Sequence, residues 1–140
     1  MNPLSGKLLA RAAVDIARLR AAFGYAGAGI WHTWRHQPNF RIECGIGALA
    51  LALAWWLEAG LAPILMMSAL VLALEMVNSA IEAVVDLASP EWHPLAKVAK
   101  DAAAGATLVA AIFSVLVGLV VMGPPLLAKL QAAWRSLTLV

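Results

Sequence analysis

The sequence has little charge. Only 13% of its 140 residues are Asp, Glu, Lys or Arg, whereas 63% are hydrophobic. A soluble domain carries about 25% charged residues, because water must solvate its surface. The shortage excludes an ordinary soluble globular protein and indicates that lipid surrounds much of the chain. The formal net charge of +2 gives no reason to expect nucleic acid as a partner.

The sequence has a single cysteine and no known glycine-rich phosphate-binding motif. The single thiol, Cys44, cannot form an internal disulfide, and its apolar sequence context favours a packing role. Residues 24–29 read Gly-Tyr-Ala-Gly-Ala-Gly, which has the order of neither a Walker loop nor a Rossmann fingerprint. We therefore interpret this stretch as a hinge.

Long apolar runs fill the rest of the chain, and we predict membrane helices at residues 40–57, 62–88 and 95–122. Eighteen residues of helix span about 27 Å, close to the hydrocarbon thickness of a bilayer. Residues 3–30 read as an amphipathic interfacial helix followed by the hinge, and residues 126–140 as a surface tail. The predicted fold is all-α, a single membrane domain of three transmembrane helices with an N-terminal interfacial helix.

The basic residues predict the orientation of this bundle. Six of the ten Lys and Arg residues lie in the first 41 positions, and none lies in the first predicted loop. Because cytoplasmic segments carry the excess of basic residues, we expect the N-terminus and the second loop to be cytoplasmic. The C-terminus is then expected outside.

A polar stripe interrupts the second predicted membrane helix. Glu75, Asn78, Glu82 and Asp86 are spaced by three, four and four residues, so they share one face within about 80°. An acid at the middle of a membrane helix costs about 2.5–3.5 kcal/mol. Asn78 alone could join two helices by a hydrogen bond. Three acids on one stripe repel each other unless a cation binds them, which favours a functional site.

Positive partners for the stripe occur at the start of the third predicted helix, where Lys97 and Lys100 lie at the depth of Asp86. Asp101 lies beside them at the same depth. Carboxylates and lysines together can hold Mg²⁺ and phosphate groups. Glu75 lies about 16 Å deeper than Asp86 along the helix, where an acceptor hydroxyl would belong to a lipid. We therefore expect phosphoryl transfer, with Glu75 as general base.

Two segments resemble the signature of the prokaryotic diacylglycerol kinase family, which includes undecaprenol kinases. The first is Glu-Met-Val-Asn-Ser-Ala-Ile-Glu-Ala-Val-Val-Asp at 75–86, and the second is Ala-Lys-Asp-Ala-Ala-Ala-Gly-Ala at 99–106. Asn-Phe-Arg-Ile at 39–42 resembles the start of the family's first membrane helix, and the resemblance covers about residues 18–120. It implies a homotrimer with active sites shared between subunits, in the bacterial inner membrane. Mg-ATP would phosphorylate a lipid hydroxyl at the cytoplasmic face.

The resemblance also implies roles for single residues. Glu75 resembles the catalytic base, and Asn78 resembles a residue that supports it. Substrate contacts would come from Glu75, Glu43 and Ala104. The residues that resemble nucleotide contacts are Arg18, Tyr25, Glu82, Glu91, Trp92, His93, Lys100 and Asp101.

The implied metal site departs from the family pattern. Glu82 resembles a magnesium ligand, but the family's second metal-binding Glu is replaced here by Gln37. An amide oxygen can coordinate Mg²⁺ without contributing charge. We therefore expect weaker metal binding, compensation by another group, or an impaired enzyme.

Three functions remain open at the level of the sequence. The first is phosphorylation of diacylglycerol to phosphatidic acid, and the second is phosphorylation of undecaprenol to undecaprenyl phosphate. The third is a non-enzymatic membrane subunit or ion-conducting protein whose acids carry ions. This last reading predicts ion flux without ATP turnover, and it leaves Lys100 and Asp101 unexplained.

Overall fold

The computed structural model describes residues 3–138 of the chain, with side-chain environments from residue 11 onward. Apart from short connections, this part of the chain is helical, and it contains no strand. Its helices are α1 (Pro3–His36), α2 (Pro38–Trp56), α3 (Leu61–Ala88) and α4 (Pro94–Thr138). The chain divides into two compact units between His36 and Gln37, so α1 forms one unit and α2, α3 and α4 form the other.

Helix α1 runs without interruption through the glycine-rich stretch, so the predicted hinge at residues 24–29 is wrong. Each glycine lowers helix stability by about 1 kcal/mol relative to alanine. However, no glycine among the described residues adopts a positive φ angle, and the alanines between these glycines are strong helix formers. The reduced propensity is therefore not enough to break the helix.

Helix α2 begins and ends with recognisable signals. Gln37 is extended at the N-cap, and Pro38 follows in the first turn, where its missing N–H costs nothing. At the other end the Ala59 N–H donates to the Ala54 carbonyl at 2.9 Å, and Glu58 takes a left-handed φ of 58°. This is a Schellman ending, which turns the chain sharply into α3.

Helix α3 is the centre of its unit, because it packs against both α2 and α4. A Cβ added at Gly47 of α2 would lie 3.3 Å from the Ser68 side chain, so the two helices approach closely there. On α4 the inward positions Ala103, Thr107 and Ala110 are buried. Small residues at such spacing let helix backbones come together.

Helix α4 continues through Pro124 and Pro125 to Thr138, so the predicted helix end at residues 123–125 is wrong. Residues 126–138 of the predicted surface tail belong to the same helix, and their placement at the surface stays a prediction. Two prolines deprive the carbonyls of Val120 and Val121 of their helical donors. A helix that emerges from lipid tolerates this loss where other groups can satisfy the carbonyls. The helix therefore extends well past its predicted end.

Two of the described helices, α3 and α4, are long and apolar enough to cross a membrane. Helix α2 is shorter, and Arg41 and Glu43 near its start leave about 13 residues of apolar helix, which is short for a span. A helical membrane protein is thus supported. The third span and the interfacial placement of α1 stay predictions.

Candidate functional site

The polar stripe of α3 becomes more buried with distance from the α3–α4 loop. Asp86 is exposed and Glu82 is half-buried, whereas Asn78 retains 8% and Glu75 only 3% of its accessible surface. The stripe therefore runs from the loop into the helix packing, as its spacing predicted. Glu75 is a carboxylate held where few water molecules reach it.

Two other carboxylates lie close enough to Glu75 to repel it. Glu43 of α2 and Glu82 of α3 both interact with Glu75 by like-charge repulsion. One carboxylate oxygen of Glu43, Oε2, is buried without a hydrogen-bond partner, as is Oδ1 of Asn78. Unpaired buried acceptors are uncommon in folded proteins, so these two oxygens mark a place where a donor from a bound molecule would fit.

An apolar cavity of about 440 Å³ lies beside Glu43. Its walls come from α2, α3 and α4, and Glu43 is the only charged residue in them. The remaining lining includes Ile46, Leu53, Ile64, Val71, Val115 and Leu119. A hydrocarbon chain fits such walls, and Glu43 places one carboxyl group among them.

Two ion pairs lie at the loop end of α3 and α4. Lys100 Nζ contacts Asp86 Oδ1 at 2.5 Å, which joins the two helices. Lys97 pairs with Asp101, which lies one turn after it on α4. All four side chains are at least one-third exposed, so each pair contributes less than about 1 kcal/mol to stability. They place two cations and two anions within reach of a polyanionic ligand.

The loop predicted to contact the nucleotide is exposed and locally ordered. Glu91, Trp92 and His93 all face solvent. The Leu95 N–H donates to His93 Nδ1 at 3.2 Å, so the imidazole caps the start of α4. Accepting this bond requires the proton to sit on Nε2, which leaves an N–H directed away from the helix.

Two residues at this site were not assigned a role from the sequence. Asp86 was recognised as part of the stripe, but its partnership with Lys100 depends on packing between helices. Thr107 of α4 is buried, and its hydroxyl has no hydrogen-bond partner. The antiparallel register set by Asp86 and Lys100 places Thr107 within one residue of the level of Asn78. The sequence signal that could have identified Thr107 was its position among the small residues that recur on the inward face of α4.

The remaining predicted residues are dispersed. Arg18 and Tyr25 are exposed on α1, which belongs to the other unit. Ala104 is exposed on α4, next to the buried Ala103. Gln37 is half-buried at the N-cap of α2. Of the predicted residues, the structure thus groups Glu43, Glu75 and Glu82. It places Lys100 separately, paired with Asp86.

The donors fit magnesium only when phosphate oxygens complete the coordination. Among the described residues no cluster of three His, Cys, Asp or Glu side chains could hold a metal ion. Glu82 is half-buried and makes no ion pair, so its carboxylate is available. Mg²⁺ characteristically takes one or two carboxylates and fills its other positions with water and phosphate. Such a sparse oxygen site suits metal that arrives with a nucleotide.

Comparison with known proteins supports the resemblance. Residues 24–122 match the family model of prokaryotic diacylglycerol kinase. A diacylglycerol kinase of Synechocystis sp. is 43% identical over 132 residues, 91% of this chain and 75% of that protein. An undecaprenol kinase of Bacillus subtilis is 37% identical over 80% of this chain and 94% of its own length. A diacylglycerol kinase of Escherichia coli is 36% identical over 77% of this chain and 91% of its own length.

Proposed function

The chain belongs to the prokaryotic diacylglycerol kinase family, and from this premise we propose that it is an ATP-dependent membrane lipid kinase. The proposed reaction transfers the γ-phosphoryl group of ATP to the free hydroxyl of diacylglycerol and yields phosphatidic acid and ADP. The observation that carries the proposal is the burial of Glu75, 3% exposed on an apolar helix whose loop end holds the Lys100–Asp86 pair.

Glu75 is proposed to act as the general base. Its depth matches a hydroxyl attached to a lipid, because a water-soluble acceptor would not reach a carboxylate packed between apolar helices. As the hydroxyl oxygen attacks the γ-phosphorus, the proton passes to Glu75 and the bond to the β–γ bridging oxygen breaks. Asn78, one turn away on the same buried face, would orient the carboxylate or the hydroxyl.

The cationic side chains would neutralise the phosphates. Lys100 could exchange Asp86 for a phosphate oxygen, because both partners are exposed and their pairing is weak. His93, Trp92 and Glu91 would contact the nucleotide from the loop, and Asp101 would contact it from α4. Bound Mg²⁺ would supply charge neutralisation on the β- and γ-phosphates. Glu82 and Gln37 are the proposed protein ligands for it.

The proposed arrangement is the one expected from the sequence. Helix α2 would be the third span, and α1 would lie in the membrane–water interface. Arg18 and Tyr25 of α1 would contact the nucleotide. The distribution of basic residues supports a cytoplasmic N-terminus and site in a bacterial inner membrane. A homotrimer with shared sites is supported by the exposure of Glu91, Trp92 and Asp101, which leave the site open on one side.

Undecaprenol is the second candidate acceptor. The observation that favours it is the Bacillus subtilis relative named undecaprenol kinase, whose length this chain covers to 94%. Undecaprenol carries its hydroxyl at the end of a hydrocarbon chain, and diacylglycerol carries its hydroxyl on a glycerol bearing two acyl chains. Both have long apolar chains, so the apolar cavity beside Glu43 suits either one. The ion-conducting alternative gains no support from the relatives described above.

The test is phosphate transfer from labelled ATP by the purified full chain in mixed micelles. Diacylglycerol and undecaprenol are offered separately, with magnesium in excess. We expect labelled phosphatidic acid, and labelled undecaprenyl phosphate would establish the second candidate instead. Absence of product on both lipids, from protein that remains folded, would refute the kinase.

A further inference from the structure

The end of α4 lies beyond the region that matches the family, because the match stops at residue 122 and the helix runs on to Thr138. We name residues 126–138 the C-terminal extension. The stretch 102–122 already provides about 31 Å of helix, which is as much as the hydrocarbon core requires. The extension therefore begins where α4 leaves the core, on the membrane face opposite to Lys100.

The extension carries an apolar stripe on one face. Leu127, Leu130, Trp134 and Leu137 fall within about 80° of one another around the helix axis. Their exposed fractions are 60%, 57%, 69% and 75%, so no described part of this chain covers them. A stripe of this size in water would be unfavourable, because large apolar side chains would remain hydrated.

The stripe continues the lipid-facing surface of α4. Ile112 and Leu116 lie on the same angular sector and are likewise exposed, whereas Gly118, about 140° from the stripe centre, is buried. Leu126, about 60° from the stripe centre, lines the cavity within the bundle, so the stripe borders the inward side of the helix. The surface that lipid covers along the span thus runs unbroken into the extension.

Two cations flank the stripe. Lys129 and Arg135 lie about 120° from its centre on opposite sides, and residues 123–138 contain no acid. Lys129 also sits at the interface level, because its Nζ lies 5.0 Å from the Trp56 ring and 3.8 Å from Glu58 in the α2–α3 turn. An apolar face that includes Trp and has cations on both sides is the composition of a helix on an anionic lipid surface.

The proline pair gives the extension freedom to approach that surface. Pro124 and Pro125 remove two helical hydrogen bonds at the point where the extension begins. Sharp bends in helices occur at such positions, because little backbone bonding is lost on bending. The extension can therefore tilt toward the membrane without unfolding.

From these observations we propose that the C-terminal extension docks on the membrane surface opposite the kinase site. Its apolar stripe would lie at the boundary of headgroups and acyl chains. Lys129 and Arg135 would contact the phosphates of anionic phospholipids. The occupant of the stripe is thus the bilayer itself.

The test uses one fluorescent label on each side of the helix. In full chains carrying Cys44→Ala, an environment-sensitive fluorophore is attached through Leu137→Cys or, as the matched control, Ser136→Cys. Ser136 is the preceding residue and lies on the polar side, about 140° from the stripe centre. Each protein is reconstituted into phosphatidylcholine vesicles with or without phosphatidylglycerol, and retained phosphotransfer confirms folding.

We expect nitroxide lipids to quench the label at 137 at least about twofold more than the label at 136, with iodide in water showing the reverse order. Arg135→Gln should reduce lipid quenching at 137 in phosphatidylglycerol vesicles and not in pure phosphatidylcholine. Equal lipid quenching of the two labels would overturn the proposal. Shielding from iodide without lipid quenching would overturn it too, because another protein surface would then cover the stripe.

Discussion

Replacement of Glu75 by glutamine isolates the proposed base with the smallest change in shape. The carboxylate is 3% exposed, and it is repelled by Glu43 and Glu82. Glu75→Gln keeps the volume and one oxygen acceptor but cannot take up a proton. The variant should therefore fold normally and lose turnover.

The magnitude follows from the role of the residue. A positioned general base contributes about 10²- to 10⁴-fold to rate, so kcat should fall by that factor, or about 2.7–5.5 kcal/mol in barrier height. The KM for ATP should change little, because the Lys100 end of the site lies about 16 Å away along α3. Stability should not fall, since the substitution removes the carboxylate that both Glu43 and Glu82 repel.

Glu43→Gln is the matched control, because it neutralises the neighbouring carboxylate on α2 instead. This variant should keep kcat within about tenfold and raise the KM for the lipid, since Glu43 lines the apolar cavity. The assay is phosphate transfer to lipid in mixed micelles over a range of lipid and ATP concentrations, with unfolding in denaturing detergent as the stability measurement. A Glu75→Gln enzyme that retains more than about a tenth of wild-type kcat would refute the assignment of the base.

Three further predictions concern the metal, the cation and the helix contact. Gln37→Glu should lower the half-saturating Mg²⁺ concentration about tenfold, because it adds a charged ligand; an unchanged magnesium titration would remove Gln37 from the metal site. Lys100→Met should raise the KM for ATP about 10- to 100-fold, because it removes a cation that binds phosphate. Asp86→Asn should change the free energy of unfolding by less than about 1 kcal/mol. A large loss of stability in Asp86→Asn would mean that the Lys100–Asp86 pair is structural. Gly47→Ala should be less stable than Gly45→Ala by about 1 kcal/mol, because both variants gain helix propensity but only the methyl at position 47 meets a side chain of α3, at 3.3 Å. Equal thermal stability of the two variants would contradict this packing.

The sequence predicted those features that depend on neighbours along the chain. Hydrophobic runs located α2, α3 and the apolar part of α4 to within a few residues, because burial in lipid acts on each segment separately. Helical spacing placed Glu75 and Asp86 on one face, since periodicity is a local property. The motif around Glu75 identified the family, and comparison with relatives confirmed it.

Breaks in the helices were predicted less well. Glycines at 24–29 and prolines at 124–125 lower helix propensity by amounts that a sequence reveals, but the rest of the helix outweighs them. Whether a helix bends or ends at such a point depends on hydrogen bonds that no single residue determines. Local propensity is therefore a weak guide to where a long helix stops.

Tertiary structure alone decided which side chains meet. Asp86 and Lys100 are 14 positions apart and on different helices, so their ion pair depends on the register of α3 against α4. The same packing buries Glu75 and Thr107 and forms the cavity beside Glu43. Amphipathic spacing tells which face of a helix is turned inward, but not what lies across from it, because contact between helices depends on how their backbones approach in three dimensions.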